Sequence, residues 1–457
     1  MHNYLYQGKS LILRPLMAQD TTDQSRRQFV KGTATGTAAL GLGALAGCTG
    51  SSGDEGDGTE SGGNGGRASM GSVASLENSY WLSWEKGYEE ACDVLGYSTN
   101  LQTNGGQVTT QQQQFDTAIA NDVNAIIGQT YTDAAAISLA EACVAAEVPT
   151  VLAVTIANWY TPQDAGDEYV QFFMPNFVEH AYTAAKVLFE EMGGEGGFVH
   201  IEGNRGTSPN AGRNVGVDLA LEEYPDIELL GPRIQGNWIR GDSRDAMSDL
   251  VSRHGDDIKG FFGQNDAVAI GGTTVLEEND IDVPVVGIGA SEPGLERIAD
   301  GRMVGSVSDM ATWQAGMSMV LVHDYLEGYQ LDPSERMMVF DGPLVVADDR
   351  VDEMRDVLGD DSDLPIFGAS GYNEKIFEGE TPYDWTAMSR AEAGEDAWDP
   401  QIRMTPLRKE ELPELLGWKE ENRPNGYELP DVFDDSDAMD ATEQRYQEQF
   451  QNDPLRD

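Results

Sequence analysis

Short apolar runs alternate with amphipathic stretches along the chain from Ser69 to Asp300. The short runs predict buried strands, and the stretches with apolar residues at helical spacing predict helices between them. We expect strands at residues 70–76, 97–101, 125–128 and 150–154, and helices at residues 83–95, 109–121 and 134–146. This alternation is typical of a parallel sheet with helices on both faces.

The same alternation of strand and helix patterns begins again in the second part of the chain. We expect helices at residues 178–192, 213–223, 244–253, 268–278 and 294–300, and strands at residues 197–202, 227–231, 260–263 and 284–287. The predicted fold class is therefore α/β, with two doubly wound lobes in one chain. Two such lobes leave a cleft between them, and open α/β sheets bind ligands at the carboxyl ends of their strands.

The first 48 residues carry an export pattern. Ser25-Arg26-Arg27-Gln28-Phe29-Val30-Lys31 has the form of a twin-arginine signal, and a weakly apolar run follows at residues 32–47. Leu45-Ala46-Gly47-Cys48 resembles a lipobox, so we expect Cys48 to be lipidated and to hold the protein on the outer face of the cell membrane. The alternative is an ordinary charge pair before a short core helix. Residues 49–67 are rich in Gly, Ser and acidic residues and predict a flexible tether.

The net charge of the chain restricts the classes of binding partner that it can have. There are 79 acidic and 29 basic residues, which give a formal net charge of −50. Nucleic acids and anionic membrane surfaces are poor partners for such a field. The acidic residues are spread over the whole chain, which favours solubility in concentrated salt, where self-repulsion is screened. We infer a halophilic source, an archaeon.

Cysteine and histidine give no sign of a metal site. Cys92 and Cys143 lie in helical patterns among apolar residues and are expected to be buried. A disulfide between them is the alternative, which their spacing in the sequence does not decide. The five histidines are not clustered at the spacing of metal ligands, so no metal and no cofactor is assigned.

Several segments together carry a resemblance to a known family. They are Asn78-Ser79-Tyr80-Trp81 after the first strand, Gly263-Gln264-Asn265-Asp266-Ala267-Val268, Val285-Val286-Gly287, and Asp341-Gly342-Pro343-Leu344-Val345-Val346. From about residue 68 to residue 352 the chain resembles the ribose/galactose-type periplasmic binding proteins of ABC importers. No single segment is decisive, but their order and spacing match throughout.

The resemblance implies two flavodoxin-like lobes joined by three hinge crossings, the type I arrangement. The first lobe would comprise residues 68–174 and 309–330, and the second lobe residues 175–308 and 331–352. The resemblance also implies a monomeric receptor that binds a small sugar-like molecule and delivers it to the permease subunits of an ABC transporter. Residues 353–457 extend beyond the family's usual end, and we expect them to wrap over one lobe, with a mobile acidic stretch after Pro430.

The resemblance also carries site residues over, one by one. The expected ligand-binding set is Asn78, Tyr80, Trp81, Arg213, Trp238, Asn265 and Asp309. The asparagines would bond sugar hydroxyls, Arg213 would fork onto ring or hydroxyl oxygens, and the aromatic faces would cover the C–H side of a pyranose. The open alternatives are core aromatics, a surface charge for Arg213, and helix capping for Asp266.

Three departures put a standard ribose or glucose contact set in doubt. Val154-Thr155 replaces an Asp-Arg pair of the family, Gly289 replaces an aspartate, and Asp309 replaces a glutamine near the hinge. Trp159 and Trp313 are expected near the rim of the cleft. The ligand is thus a differently substituted sugar, a polyol or another small polar molecule, and Asp309 would favour a cationic group.

Two other functions remain open at this point. An exported enzyme on the same fold would need a nucleophile or a pair of groups with perturbed pKa values in the cleft, and no catalytic residue is assigned. A sensory lipoprotein that presents its ligand to a chemoreceptor would have the same sequence pattern. The export signal and the lack of a DNA-binding domain exclude a repressor of this family.

Overall fold

The computed structural model describes residues 66–359 and 364–455. The expected twin-arginine signal, the lipidation site at Cys48 and nearly all of the tether lie outside the described residues. Within the described part of the chain, no helix combines the length and apolar character needed to cross a membrane.

The first lobe is built on a sheet whose central strands are buried on both faces. Its elements before the first hinge crossing are β1 (Arg67–Val73), α1 (Ser79–Leu95), β2 (Tyr97–Ser98), β3 (Leu101–Thr103), α2 (Val108–Ala120), β4 (Ala125–Gly128), α3 (Ala135–Ala145), β5 (Thr150–Leu152), α4 (Pro162–Ala165) and β6 (Tyr169–Pro175). All residues of β4, β5 and β6 are buried, as expected for parallel strands covered by helices on both sides.

The second lobe repeats this plan. Its elements are α5 (Phe177–Glu191), β7 (Gly196–Glu202), α6 (Ser208–Glu223), β8 (Ile227–Leu229), β9 (Ile234–Gln235), α7 (Arg240–His254), β10 (Ile258–Gly263), α8 (Asp266–Glu278), β11 (Val285–Ile288), α9 (Glu292–Ala299) and β12 (Gly305–Val307). Strands β7, β10, β11 and β12 pair in parallel. The predicted α/β fold with two doubly wound lobes is confirmed.

The rest of the chain contributes to both lobes. It forms α10 (Ala311–Leu326), β13 (Met337–Phe340), β14 (Leu344–Val346), α11 (Val351–Leu358), β15 (Ile366–Gly368), α12 (Ala369–Ile376), α13 (Trp385–Met388), α14 (Arg390–Ala393), β16 (Met404–Pro406), α15 (Leu412–Leu415) and α16 (Ser436–Gln449). The strand order is β16-β13-β6-β5-β4-β1-β2 in the first sheet and β15-β14-β12-β11-β10-β7-β8 in the second, with β3 beside β1 and β9 beside β7.

The chain crosses between the lobes after β6, after β12 and after β13. The crossings are tied to one another, since Asn176 N–H donates to Phe340 O and Ser308 N–H donates to Pro343 O, each at 2.8 Å. The sequence places residues 331–352 in the second lobe, but β13 pairs in parallel with β6 of the first sheet. The third crossing therefore lies near residue 341. An apolar run such as Met337–Phe340 does not reveal which sheet it will join, because its pairing is a tertiary choice.

Residues 353–359 and 364–455 wrap over both lobes, not over one as the sequence predicts. Strand β15 extends the second sheet beside β14, whereas β16 runs antiparallel to β13 at the edge of the first sheet. Helix α15 then contacts α5 and α6 of the second lobe. The acidic stretch after Pro430 is also ordered, because α16 buries Met439 and Tyr446. Its apolar residues are few and widely spaced, which hides the helix in the sequence.

The extension explains why nearly all of α10 is buried. Its residues from Ala311 to Asp324 are all buried, since α1 lies on one side and α13 on another. A side chain at Gly316 would meet the Trp385 ring at 2.2 Å, so glycine is what lets this indole lie on α10. Cys92 and Cys143 are buried and free.

Candidate ligand-binding cleft

The two predicted asparagines lie on opposite sides of the cleft and both cap helices. Asn78 Oδ1 accepts from Tyr80 N–H at the start of α1, and Asn265 Oδ1 accepts from Val268 N–H at the start of α8. Each side-chain amide then donates to Trp238 O at 3.3 Å. The structure therefore brings the expected asparagines of both lobes together around the loop that carries Trp238.

Trp238 is held in a backbone conformation that non-glycine residues rarely adopt. Its φ is 64°, and the φ of the preceding residue, Asn237, is 51°. The indole lies on Gly203, where an added Cβ would meet the ring at 2.0 Å. Strained backbone of this kind is often found at ligand sites, where the surrounding structure maintains it.

Arg213 is a buried residue of α6 and not a surface charge at a helix start. The sequence predicts a helix from residue 213, but α6 begins at Ser208, so Arg213 lies in its second turn and is only 4% exposed. Its Nη1 donates to Gln264 O at 2.7 Å and its Nη2 to Asp309 Oδ2 at 2.6 Å. The guanidinium also lies 5.3 Å from the centroid of the Trp238 ring, within cation–π range.

One donor of Arg213 stays unsatisfied. Its Nε is buried without a hydrogen-bond partner in the protein. An unpaired buried donor costs about 1–3 kcal/mol, and a ligand oxygen would relieve that cost.

The negative charge of Asp309 is compensated by protein groups. Its carboxylate accepts from Arg213 and lies 3.2 Å from His180 Nδ1. Burial opposes ionisation, but Arg213 and His180 outweigh it and hold the pKa of Asp309 below its ordinary value. The expectation that Asp309 favours a cationic ligand is thus not supported, because its charge is already paired.

Tyr80 and Trp81 form an edge-to-face aromatic pair on the first lobe. Their ring centroids are 4.9 Å apart at an interplanar angle of 83°. The Tyr80 hydroxyl donates to Gln314 Oε1 at 3.0 Å and accepts from Gln129 Nε2. Burial, the largest effect, raises the pKa of Tyr80 well above its usual value, so this hydroxyl is neutral.

Hydroxyl and amide groups occupy the place of the family's Asp-Arg pair. Thr155 donates to Thr130 O at 2.8 Å, and the two threonine hydroxyls are 2.8 Å apart. Val154 next to them is buried with a φ of 72°. Gln129 and Thr130 follow β4, so the carboxyl ends of neighbouring strands β4 and β5 bring this neutral polar set together.

Sequence reasoning missed Gln129, Thr130, His180 and Gln314. A signal for the first two was available, since both come directly after a buried strand, where ligand residues of α/β sheets lie. His180 and Gln314 lie inside helices, and only their three-dimensional neighbours reveal them.

Two other expectations require correction. Trp313 is fully buried against Phe173 and Phe340, and Trp159 is buried under Trp418 of the extension, with ring centroids 5.7 Å apart. Neither tryptophan is therefore a free group at the rim. Trp418 of the extension covers Trp159, and Trp313 Nε1–H donates to Pro400 O of the extension at 3.4 Å. The family pattern contains no such extension.

Asp266 does not cap α8, because Asn265 takes that role. Its buried carboxylate accepts from Ser306 Oγ at 2.7 Å and from Ser291 N–H at 2.6 Å. Burial, opposed by these hydrogen bonds, raises the pKa of Asp266. The group fixes the loop at Gly289, whose φ of 126° suits glycine.

Asp133 links the two lobes directly. Its carboxylate accepts from Ser208 N–H at 3.2 Å and from Ser208 Oγ at 3.0 Å, at the start of α6. Burial in this contact raises the pKa of Asp133 to about 7, although the hydrogen bonds from Ser208 oppose the shift. Together with the bond from Asn78 to Trp238, this contact describes a closed cleft.

This combination of fold and cleft matches a known family. The periplasmic binding protein domain family matches residues 72–330, more than half of the chain. The chain therefore belongs to the periplasmic binding protein family, and its two lobes have the type I arrangement.

Individual relatives agree with this assignment. The chain is 28% identical over 248 residues to the xylitol-binding protein of Mycolicibacterium smegmatis, which covers 52% of this chain and 68% of the relative. It is 23% identical over 267 residues to the D-apiose import binding protein of Actinobacillus succinogenes, which covers 58% of this chain and 84% of the relative.

Solved structures support the same fold. A twin-arginine translocation pathway signal protein from Burkholderia phytofirmans superposes with a TM-score of 0.60 at 24% identity, over 64% of this chain and 92% of that one. An ABC transporter solute binding protein from Bacillus halodurans with bound myo-inositol gives a TM-score of 0.55 at 20% identity, over 65% of this chain and 99% of that one.

Proposed function

We propose that this protein is an extracytoplasmic receptor that captures a small uncharged polyhydroxylated molecule, a sugar or sugar alcohol, and delivers it to an ABC importer. The cleft closes on the ligand, so binding favours the form that an importer recognises. The protein binds its ligand without turnover.

The single observation that carries the choice of ligand is the internal pairing of the charges in the cleft. Arg213 and Asp309 form a buried ion pair 2.6 Å apart, so neither needs an oppositely charged ligand. A charged ligand would leave one charge uncompensated in a buried site, which is strongly unfavourable.

The remaining groups suit hydroxyls. The first lobe offers Gln129, Thr130, Thr155 and Gln314, all buried and neutral, while Tyr80, Trp81 and Trp238 provide aromatic faces for C–H groups. Arg213 Nε adds a free donor. The related proteins that are named for xylitol and D-apiose make these compounds natural first ligands to test.

Thermal unfolding in molar salt would test this proposal. A panel of xylitol, D-apiose, myo-inositol, D-ribose, nucleosides and amino acids is added to the protein. A true ligand at 100 times its Kd should stabilise it by about 2.7 kcal/mol. We expect a neutral polyol or sugar to raise the Tm and charged compounds to leave it unchanged.

Matched variants locate the site. Trp238→Ala should abolish the ligand-induced shift, whereas Tyr224→Ala should keep it, because this aromatic residue follows α6 and bonds Glu190 outside the cleft. A shift with charged compounds alone, or consumption of the compound, would contradict the proposal and favour another role.

The localisation is also part of the proposal. Arg26-Arg27 followed by an apolar run and by Leu45-Ala46-Gly47-Cys48 supports twin-arginine export and a lipid anchor at Cys48. The net charge of −50 supports a halophilic host. In such a host, Cys48→Ser should release the protein from the membrane fraction into the medium, while Arg26→Lys with Arg27→Lys should retain it inside the cell. Membrane association unchanged in Cys48→Ser would exclude the lipid anchor.

A further inference from the structure

We propose that His180 is a positioning residue for ligand capture, which transmits the geometry of the hinge to Arg213 through Asp309. This inference rests on the proposed function of the cleft. The three side chains form a relay, a continuous series of hydrogen bonds that begins at the backbone of the third crossing and ends in the second lobe.

His180 occupies the place where the three crossings meet. It lies in the first turn of α5, directly after the first crossing, and its side chain is fully buried. Its Nε2 accepts from Gly342 N–H of the third crossing at 2.9 Å. Its Nδ1 lies 3.2 Å from Asp309 Oδ1, at the second crossing.

These partners fix the tautomer of the ring. A backbone N–H can only donate, so Nε2 must be unprotonated and the proton must lie on Nδ1. Nδ1–H therefore donates to the carboxylate. The crossings themselves leave no room for adjustment, because a side chain at Gly342 would meet Ser308 O at 1.8 Å.

The series of hydrogen bonds continues from Asp309 towards the cleft. Asp309 Oδ2 accepts from Arg213 Nη2, and Arg213 Nη1 donates to Gln264 O. Gln264 Oε1 in turn accepts from Gly203 N–H at 2.8 Å, beneath the indole of Trp238. A change at the crossings would thus move the carboxylate, the guanidinium and its free Nε together.

An ordinary core histidine would not have this set of partners. The described chain holds a suitable comparison in His323, which is 5% exposed and contacts Tyr97 and Glu392 away from the cleft. Substitution of His323 removes a buried imidazole of the same size without touching the crossings or Arg213.

The test uses three variants of the full chain. His180→Leu removes both hydrogen bonds and keeps most of the volume. His180→Gln restores them in part, since an amide oxygen can accept from Gly342 and an amide N–H can donate to Asp309. His323→Leu is the matched control. Binding is measured by calorimetry with xylitol, or with the compound of the panel that raises the Tm.

We expect His180→Leu to weaken binding by about tenfold, His180→Gln to recover most of this loss, and His323→Leu to lower the Tm without changing Kd. In an Arg213→Lys background, His180→Leu should weaken binding by less than about twofold, because the relay then has no arginine to position. Unchanged binding in His180→Leu, no rescue by glutamine, or full additivity with Arg213→Lys would overturn the proposal.

A second readout needs no ligand and separates this proposal from the proposed function. In protein labelled with ¹⁵N histidine and arginine, His180 should show the Nδ1–H tautomer, and the Arg213 guanidinium signals should shift in His180→Leu and return in His180→Gln. If the panel yields no ligand but these signals behave as expected, the function is wrong and the relay stands. If Arg213 does not respond to His180, the relay is wrong whatever the ligand.

Discussion

Asn78 and Asn265, one from each lobe, donate their side-chain amides to the same acceptor, the carbonyl of Trp238, each at 3.3 Å. The Asn78 bond joins the two lobes, whereas the Asn265 bond lies within the second lobe. Both residues also cap helices. The two asparagines are therefore equivalent in local structure but not in their effect on closure.

This difference predicts different outcomes for two similar substitutions. Asn78→Ala and Asn265→Ala should each lower the free energy of unfolding by about 1 kcal/mol, because each removes a helix cap. Only Asn78→Ala should widen the ligand-free cleft. Spin labels at the exposed positions Leu82 and Ile239, in a Cys48→Ser background, would measure the distance across it. Equal distance distributions in the two variants would contradict the assignment of closure to Asn78.

The buried pair of Arg213 and Asp309 predicts strong coupling. Arg213→Met and Asp309→Leu should each destabilise the protein by about 3–5 kcal/mol, because each leaves the other charge buried without its partner. The double variant should cost clearly less than the sum. A double-mutant cycle of denaturant unfolding in molar salt measures the coupling, and additive effects would show that the pair contributes little.

Asp133 predicts a pH-dependent closure. Its pKa is about 7 in the closed structure, against an ordinary value of 3.8, so the closed state binds a proton that the open state releases. Closure is therefore favoured fully below about pH 4, and this contribution is lost as the pH rises through 7. Ligand affinity should fall between pH 5 and pH 8, and calorimetry should detect proton uptake on binding.

Asp133→Asn provides the control for this effect. The amide oxygen still accepts from Ser208 but does not titrate, so the variant should bind its ligand with little dependence on pH over the same range. A wild-type protein whose affinity does not change between pH 5 and pH 8 would show that Asp133 stays ionised in the contact.

The contacts of the extension predict that two core substitutions differ in their effect on amide hydrogen exchange. Trp418 stacks on Trp159, next to the α15 segment that contacts α5 and α6, whereas Tyr446 contacts Trp398 within the extension. Trp418→Ala and Tyr446→Ala should each cost about 3–5 kcal/mol. Only Trp418→Ala should increase amide hydrogen exchange in α6. Equal exchange in both variants would show that α15 does not restrain the second lobe.

The sequence predicts the fold better than the chemistry of the cleft. Strands such as Ala125–Gly128 are found at the expected residues, since a buried strand leaves a local apolar signal. Asn78, Arg213 and Asn265 are predicted through their family pattern, and the structure places all three around Trp238. The pairing of β13 with β6 and the cover over Trp159 have no local signal, because both depend on contacts between distant segments. His180 was missed for the same reason.

The short strands β15 and β16 have a consequence for self-association. An open sheet edge offers unpaired N–H and C=O groups to other chains. Here each sheet ends on one side in a strand of only three residues, and β16 closes with Pro406, which has no N–H to donate. The charge of −50 repels neighbouring molecules only within a Debye length, about 3 Å in molar salt. Where salt screens that repulsion, β13 and β14 still offer no open edge to a neighbouring molecule, because β16 and β15 pair with them.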